Sequence, residues 1–310
     1  MTKKKKNEIC MCLLLLLLLA ISRADSSINS CTRRCGDVDI PFPFGIESDC
    51  FLPGFHVFCN HSKLYSAGNI QILNFSLVEP RATIIQKNAH VHPQKYNNST
   101  GGVYISREMD LTGSPFFFSI RDNIFAAAGC NVVAFFSSSN TLFNTPNGRA
   151  CVSLCNDTNY NIGVISGYSC SGADGCCRVT DIPLGMKQFT SYLIHDFAGF
   201  NGSTTQNSPC LFSSILDVHS FNGTSRWCDL YKRYRGQFPV AVVWSISNSS
   251  CEQAKLNPTT YACLSRNSHC LQTYRGYTCG CNDAYEGNPY IEDGCNAKGA
   301  TRIIKIQFLR

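Results

Sequence analysis

The sequence predicts a mainly β, disulfide-rich, secreted protein that is built from several modules. One observation is a series of short β-branched and aromatic runs separated by clusters of Gly, Asn, Ser and Pro, which is typical of short strands joined by turns. These runs cover residues 70–77, 115–120, 131–136 and 240–246. A second observation is that the sequence shows no long helical period, heptad pattern or solenoid repeat. A third is a basic and then apolar amino terminus followed by many cysteines.

The amino terminus has the order of a secretory signal peptide. Four lysines, Lys3 to Lys6, precede an apolar run over residues 9–21, and Ser22-Arg23-Ala24 places small residues before the expected cut. We therefore expect residues 1–24 to be removed. A membrane anchor is the alternative, but the apolar run of 13 residues is shorter than the roughly 20 residues that a spanning helix needs.

Removal of the signal peptide changes the cysteine count and the net charge. Cys10 and Cys12 leave with it, so 18 of the 20 cysteines remain. This even number predicts up to nine disulfides in an oxidising compartment. The net charge falls from +6 to +2, because residues 1–24 carry five basic residues and one acidic residue. A chain of this charge is not a general polycation, which argues against nucleic acid as a partner.

The remaining cysteines fall into groups that predict a division into modules. The predicted boundaries are a signal peptide over 1–24, a first module over 25–110, a cysteine-rich region over 111–245, a terminal module over 246–295 and a tail over 296–310. No cysteine lies between Cys59 and Cys130, so this stretch needs an apolar sheet core. The neighbours Cys176 and Cys177 are expected to have different partners, since adjacent cysteines rarely have the geometry to pair. The pairing of the twelve cysteines before the terminal module stays open.

Eight sequons for N-linked glycosylation predict a heavily glycosylated surface. They begin at Asn60, Asn74, Asn97, Asn98, Asn156, Asn201, Asn222 and Asn248. Because glycans need solvent, these asparagines are expected on exposed loops and strand edges.

The last six cysteines have a specific spacing. They are separated by 11, 6, 8, 1 and 13 residues, and an aromatic residue and a glycine precede the final cysteine. This pattern closely resembles an epidermal-growth-factor-like (EGF-like) module. The resemblance implies the disulfides Cys251–Cys270, Cys263–Cys279 and Cys281–Cys295. Residues 247–250 contain no carboxylate, so no calcium site is expected there, and the sequence predicts neither another metal nor a cofactor.

The amino-terminal cysteine segment and three later motifs indicate a family. Residues 31–46 read CTRRCGDVDIPFPFGI, and CFLPGF follows at residues 50–55. The later motifs are GCCRVTDIP over 175–183, FPVAVVWSI over 238–246 and YEGNPY over 285–290. In this order they resemble the extracellular region of the plant wall-associated receptor kinases.

The resemblance implies a location and a ligand. Residues 25–110 would be a galacturonan-binding module and residues 111–245 a wall-associated-kinase-type cysteine-rich region, in a protein secreted to the plant cell wall. The implied ligand is pectin, specifically de-esterified homogalacturonan and its oligomers. In that family a membrane helix and a cytoplasmic kinase usually follow, which places full-length relatives at the plasma membrane. Residues 296–310 contain neither a long apolar run nor a kinase motif, so we expect a truncated receptor, either a soluble form or an incomplete gene model, that is not an enzyme.

The chemistry of such a ligand selects the candidate binding residues. Galacturonate offers carboxylates and sugar faces, so a site would combine Arg or Lys with aromatic rings. Between Asn60 and Asn97 the chain has several basic residues and one acid, Glu79. The predicted binding residues are Lys63, Arg81, Lys87, Lys95, Tyr65 and Tyr96. The alternative is that these residues form a solvated basic face.

Other functions have less support in the sequence. The second basic run, residues 226–235, is interpreted as a helix or loop that covers the Cys228 bridge. A pectin-modifying enzyme would need paired carboxylates or an activated nucleophile, and neither Gly-x-Ser-x-Gly nor His-Glu-x-x-His occurs. The alternative to pectin binding is a structural or protein-binding wall glycoprotein. In both cases the EGF-like module would act as a spacer or as a contact for other wall or cell-surface proteins.

Overall fold

The computed structural model describes residues 31–86, 91–95, 103–129, 132–138, 148–153, 175–195, 211–220 and 227–299. The expected signal peptide lies outside the described residues. Twenty strands, two α-helices and six disulfides occur within these ranges, which confirms the mainly β, disulfide-rich class. No helix among the described residues is long and apolar enough to cross a bilayer.

The strands are short. They are β1 (Arg34–Cys35), β2 (Val38–Asp39), β3 (Phe58–Asn60), β4 (Lys63–Ser66), β5 (Ile70–Ser76), β6 (Arg81–Gln86), β7 (Val91–Lys95), β8 (Val103–Asp110), β9 (Phe116–Phe118), β10 (Asn123–Ala128), β11 (Val132–Ser137), β12 (Arg149–Ser153), β13 (Cys176–Val179), β14 (Gln188–His195), β15 (Phe212–Asp217), β16 (Val240–Trp244), β17 (Ser268–Thr273), β18 (Gly276–Cys281), β19 (Tyr285–Gly287) and β20 (Cys295–Ala297). The helices are α1 (Trp227–Tyr234) and α2 (Cys251–Lys255). Each of the four apolar runs identified in the sequence contains a strand, namely β5, β9, β11 and β16.

A six-stranded antiparallel sheet in the order β3-β4-β5-β6-β16-β9 contains Trp244, the largest fully buried side chain, together with Phe116 and Phe118. Strand β16 lies far from β6 in sequence, yet Val240 pairs with Ile84 and Val242 with Ala82. These four side chains are fully buried, so the alternation of the two strands places one face of each in the core. The sheet therefore combines strands from both sides of the boundary expected at residue 110.

Two further sheets complete the same core. A five-stranded sheet has the order β12-β11-β14-β8-β7, and a three-stranded sheet has the order β13-β10-β15. Their phenylalanines meet between the sheets, where the ring of Phe125 lies 4.8 Å from Phe136 and 6.2 Å from Phe189. The buried amide of Asn123 links β10 to β16, since its Oδ1 accepts from the backbone N–H of Ala241 at 2.9 Å.

Disulfides cross-link the segments whose strands are short. In the amino-terminal segment Cys31 bridges Cys50 and Cys35 bridges Cys59. Cys177 bridges Cys151 on β12, and Cys176 is also disulfide-bonded. The prediction that the adjacent cysteines have different partners is therefore confirmed.

The second basic run forms a helix that packs through its aromatic residues. Tyr231 of α1 stacks on Phe212 with a centroid distance of 5.9 Å, and Tyr234 lies 6.4 Å from Phe238. Lys232 and Arg233, between them, are exposed. Tyr231 and Tyr234 thus pack against the core, and the run is a helix, while the predicted cover over the Cys228 bridge lies outside the described side chains.

The terminal module contains the three disulfides Cys251–Cys270, Cys263–Cys279 and Cys281–Cys295. This pairing is the one that the EGF-like resemblance implies. Helix α2 begins with a capping box, in which the side chain of Ser250 accepts from the backbone N–H of Gln253. Two antiparallel hairpins follow, β17–β18 and β19–β20.

The terminal module is docked on the six-stranded sheet. The indole Nε1 of Trp244 donates to the hydroxyl of Tyr290 at 2.9 Å, and both side chains are fully buried. Ser245, which directly follows β16, contacts Thr273 of β17 through the two hydroxyls at 2.7 Å. Asn288 Nδ2 donates to the backbone carbonyl of Phe42 at 2.8 Å. These contacts fix the orientation of the module relative to the sheet.

Candidate functional site

The predicted basic residues lie on two different sheets. Lys63 is exposed at the start of β4, and Arg81 begins β6, two strands away in the six-stranded sheet. Lys95 ends β7, which is the edge strand of the five-stranded sheet, opposite Val103. Lys87 and Tyr96 lie outside the described residues. The basic run in the sequence is therefore divided by the fold between two sheets.

The guanidinium of Arg81 forms an ion pair inside the protein. Its Nη1 lies 3.7 Å from Oδ1 of Asp217, with side chains 21% and 2% exposed. The carboxylate of Asp217 also accepts from the hydroxyls of Thr83 at 3.2 Å and Ser220 at 3.1 Å. A buried carboxylate needs such partners to compensate for lost hydration. This geometry turns the Arg81 guanidinium toward a buried carboxylate, and among the described residues its Nη1 forms an ion pair but no hydrogen bond.

Tyr65 is also unavailable as a stacking surface in this structure. It is 3% exposed, because three consecutive residues of β4, from Leu64 to Ser66, are buried and both faces of the strand are therefore covered. Its ring stacks on Phe58 at a centroid distance of 5.5 Å. Phe58 is 39% exposed, so it is the ring on this side of β4 that a ligand can reach. Sequence reasoning missed Phe58, since it lies just before Cys59 in a region assigned to the cysteine framework.

Three of the predicted glycosylation sites are exposed in the structure, namely Asn60, Asn74 and Asn248. Asn97, Asn98, Asn156, Asn201 and Asn222 lie outside the described residues. Asn60 is the cross-strand partner of Lys63 in the β3–β4 hairpin. Because directly paired residues project from the same face of a sheet, a glycan on Asn60 would stand beside the Lys63 side chain.

A cleft between the five-stranded sheet and the terminal module contains two cations that sequence reasoning did not select. It has a volume of ≈ 380 Å³, and Lys187 and Arg275 are among its lining residues. Lys187 directly precedes β14, and Arg275 lies at the tip of the β17–β18 hairpin. We call it the Lys187 cleft. No local signal marks these residues, because each is an isolated basic residue in its own segment.

Burial and neighbouring charges both shift the pKa of Lys187. Its Nζ donates to the carbonyl of Ser114 at 2.5 Å and lies 4.5 Å from the ring centroid of Phe117. Burial lowers the pKa of Lys187, Arg275 lowers it further, and Asp110 raises it. The cleft thus holds two positive charges close enough to repel each other.

A second cleft has the opposite electrostatic character. It is ≈ 640 Å³ in volume and lies between the amino-terminal segment and the terminal module, with Asp39, Glu286 and the apolar Phe75 and Val78 among its lining residues. Its two charged lining residues are acidic, so a polyanion would be repelled there. Among the described residues no group of three or more His, Cys, Asp or Glu side chains is placed to hold a metal ion.

Comparison with known proteins agrees with the motifs in the sequence. The family model described as wall-associated receptor kinase galacturonan-binding matches residues 31–86. Wall-associated receptor kinase 3 of Arabidopsis thaliana is 33% identical over 86% of this chain and 35% of its own length. Wall-associated receptor kinases 5 and 1 of the same plant are each 30% identical over 86% of this chain and 34% of theirs. No solved structure gives a significant match.

The residues matched by the family model contain β1 to β6. The chain spans about a third of the length of these curated relatives. Residues 31–86 match the family model of the galacturonan-binding segment of the wall-associated receptor kinases, and the chain is homologous to these receptors over 86% of its length.

Proposed function

We propose that the protein is the extracellular region of a wall-associated receptor and binds pectin through de-esterified homogalacturonan or its oligomers. The observation that carries this proposal is the match of the galacturonan-binding family model to residues 31–86. The matched segment includes β1 to β6 and the disulfides Cys31–Cys50 and Cys35–Cys59. In this proposal the protein acts by binding and contains no catalytic site of its own.

The exposed edge of the six-stranded sheet supplies suitable chemistry for the ligand. Lys63 and Phe58 are exposed on the β3–β4 hairpin, and Tyr65 supports the Phe58 ring from below. An ammonium beside an aromatic ring pairs with a galacturonate carboxylate while the ring contacts the sugar face. Lys87, Lys95 and Tyr96 remain proposed contacts from the adjoining segment.

The terminal module has a separate proposed role. Its cysteine spacing and disulfide pairing support assignment as an EGF-like module. We assign it two tasks, which are to hold the galacturonan-binding region in a fixed orientation and to contact other wall or cell-surface proteins. The fixed orientation follows from its docking through Trp244 and Tyr290. The proposed location is the cell wall, outside the plasma membrane.

Calorimetric titration with oligogalacturonate tests the function. The chain from Asp25 onward would be secreted from a eukaryotic host, and its folding would be checked by near-ultraviolet circular dichroism. We expect binding to the free-acid oligomer that weakens with added salt, and no binding to a fully methyl-esterified oligomer of the same length, because esterification removes the charge that the lysines recognise. No heat with either oligomer, or equal heat with both, would overturn the proposal.

The glycan predicted on Asn60 gives a test of the Lys63 surface. Since this glycan would stand beside Lys63, Asn60→Gln is expected to strengthen oligogalacturonate binding by about two- to fivefold, the size of one exposed charge contact. Asn248→Gln removes a sequon far along the chain and is the matched control, for which no change is expected. Equal effects of the two substitutions, or a reversal of the Asn60→Gln effect, would argue against ligand binding at Lys63.

A further inference from the structure

We propose that the Lys187 cleft is a second anion-binding site, which takes one carboxylate of an acidic sugar and is shared between the five-stranded sheet and the terminal module. The proposal rests on the proposed function for its ligand class. It differs in location from the segment that the galacturonan-binding family model matches, since Lys187 and Arg275 lie outside residues 31–86. It gives the terminal module a direct part in ligand recognition.

The walls of the cleft are held in place before any ligand binds. The backbone carbonyl of Lys187 accepts from Leu111 N at 2.8 Å, and that of Met186 accepts from Phe118 N at 3.0 Å. Gly185, at φ +74°, lies directly against the ring of Tyr274, where an added Cβ would come within 2.2 Å of the ring. The segment that carries Lys187 is therefore packed against the hairpin that carries Arg275. A preformed site loses less conformational entropy on binding.

The two cations are not neutralised by carboxylates in the described part of the chain. Neither Lys187 nor Arg275 forms an ion pair there within 4 Å. Asp110 is the acid that acts on Lys187, and its carboxylate accepts hydrogen bonds from the backbone N–H of Thr112 at 2.7 Å and from Gln188 Nε2 at 3.4 Å. Two cations and one carboxylate leave the cleft with a net positive charge.

The hydrogen-bonding capacity of the cations favours a carboxylate. An ammonium has three donors, and the carbonyl of Ser114 accepts from Lys187 in the structure. The guanidinium of Arg275 presents a planar set of donors that matches a carboxylate. A carboxylate between the two groups would offset their repulsion and replace the water that burial removes from Lys187. This compensation is strongest for an anion that both cations contact at once.

The size and surface of the cleft favour a sugar acid over an isolated ion. Its volume of ≈ 380 Å³ lies near the lower end of the range for small-ligand sites, which is about 300–1,000 Å³. Leu184, a lining residue, is 60% exposed, and the neighbouring Tyr274 is 55% exposed. These apolar surfaces suit the C–H face of a pyranose ring, whereas a simple inorganic anion would leave them in water.

A double substitution with a matched control tests the cleft. Lys187→Gln/Arg275→Gln removes both charges, and Lys255→Gln/Arg266→Gln removes one Lys and one Arg that are exposed elsewhere on the terminal module. We expect the first pair to weaken oligogalacturonate binding by about tenfold or more, as for the loss of charge-assisted hydrogen bonds. The control pair should change it less than about twofold, because neither residue lines the cleft and an isolated exposed charge contributes little. Lys187→Arg/Arg275→Lys keeps both charges and should retain most of the binding.

The outcomes separate this inference from the proposed function. If the parent chain does not bind oligogalacturonate, both are overturned. If the parent binds and the two double variants bind equally well, the inference fails and the proposed function stands. Near-ultraviolet circular dichroism and thermal unfolding of each variant identify loss of folding, and in that case Arg275→Gln alone, at the exposed hairpin tip, replaces the first pair in the comparison.

Covalent mapping and a competing ligand complete the test. A carbodiimide activates a bound uronate carboxylate, and the amine of Lys187 then forms an amide with release of the urea, which peptide mass spectrometry detects at Lys187. We expect this product at Lys187 in excess over Lys255. Coupling at Lys63 without coupling at Lys187 would overturn the inference. Oligoglutamate that competes as well as oligogalacturonate would reassign the cleft to acidic peptides and would also overturn it.

Discussion

Replacement of Trp244 with alanine is expected to lower the free energy of unfolding by about 3–5 kcal/mol. Trp244 is fully buried, and its ring makes edge contacts with Phe44 at 5.3 Å and Phe75 at 6.3 Å. Its Nε1 donates to Tyr290 in the terminal module. The substitution therefore removes both a large side chain from the sheet core and the hydrogen bond that joins the two parts of the protein.

Chemical denaturation with the disulfides kept oxidised measures this effect. Tyr290→Phe separates packing from hydrogen bonding, since it keeps the ring but leaves the indole N–H of Trp244, the hydroxyl of Thr278 and the backbone N–H of Cys279 without the Tyr290 hydroxyl. We expect it to cost about 1–3 kcal/mol. Leu256→Ala is the control, because this side chain is 85% exposed and its loss should change stability by less than about 0.5 kcal/mol. A neutral Tyr290→Phe would show that packing alone holds the module on the sheet.

Replacement of Arg81 with glutamine is expected to lower stability by about 2–3 kcal/mol. The substitution leaves Asp217 buried without its cationic partner, and breaking a fully buried pair costs about 3–5 kcal/mol. The effect should fall below that range, because the Arg81 side chain is 21% exposed and the separation of the charged atoms is 3.7 Å. Oligogalacturonate affinity of the folded variant should remain close to that of the parent.

A paired substitution distinguishes a structural Arg81 from a ligand contact. Arg81→Gln/Asp217→Asn removes both charges and should recover much of the lost stability, since the Asn oxygen can still accept from Thr83 and Ser220 and no unpaired charge is left buried. Denaturation and calorimetry on the same samples provide both quantities. If Arg81→Gln leaves stability unchanged and weakens binding, then Arg81 contacts the ligand as the sequence suggested.

Local sequence patterns located four of the strands and indicated the disulfide framework of the terminal module. Alternating or continuous apolar runs contain β5, β9, β11 and β16, because burial of one or both faces leaves its period in the sequence. The resemblance gave the disulfide pairs of the terminal module, which the structure contains. The different partners of Cys176 and Cys177 followed from the geometry of a disulfide alone.

The residues of the candidate site were harder to predict from local sequence patterns. A basic run suggested a common surface, but β6 and β7 belong to different sheets, so residues near in sequence are divided between them. Arg81 looked available because its partner Asp217 is remote in sequence. Tyr65 looked available because burial on both faces of a four-residue strand leaves no period to detect. Phe58 is exposed, but it was overlooked because it lies in a cysteine-rich segment that sequence reasoning assigned to the disulfide framework.

The sequence by itself determined the β class, the cysteine framework and the family resemblance, because these depend on local periodicity and on the spacing of particular residues along the chain. Only the tertiary structure decided that β16 and β9 extend the sheet begun by residues 58–86, that Arg81 pairs with Asp217, and that Lys187 and Arg275 line one cleft. These features join segments far apart in sequence. Their positions depend on how the sheets and the terminal module pack, and no local pattern records that packing.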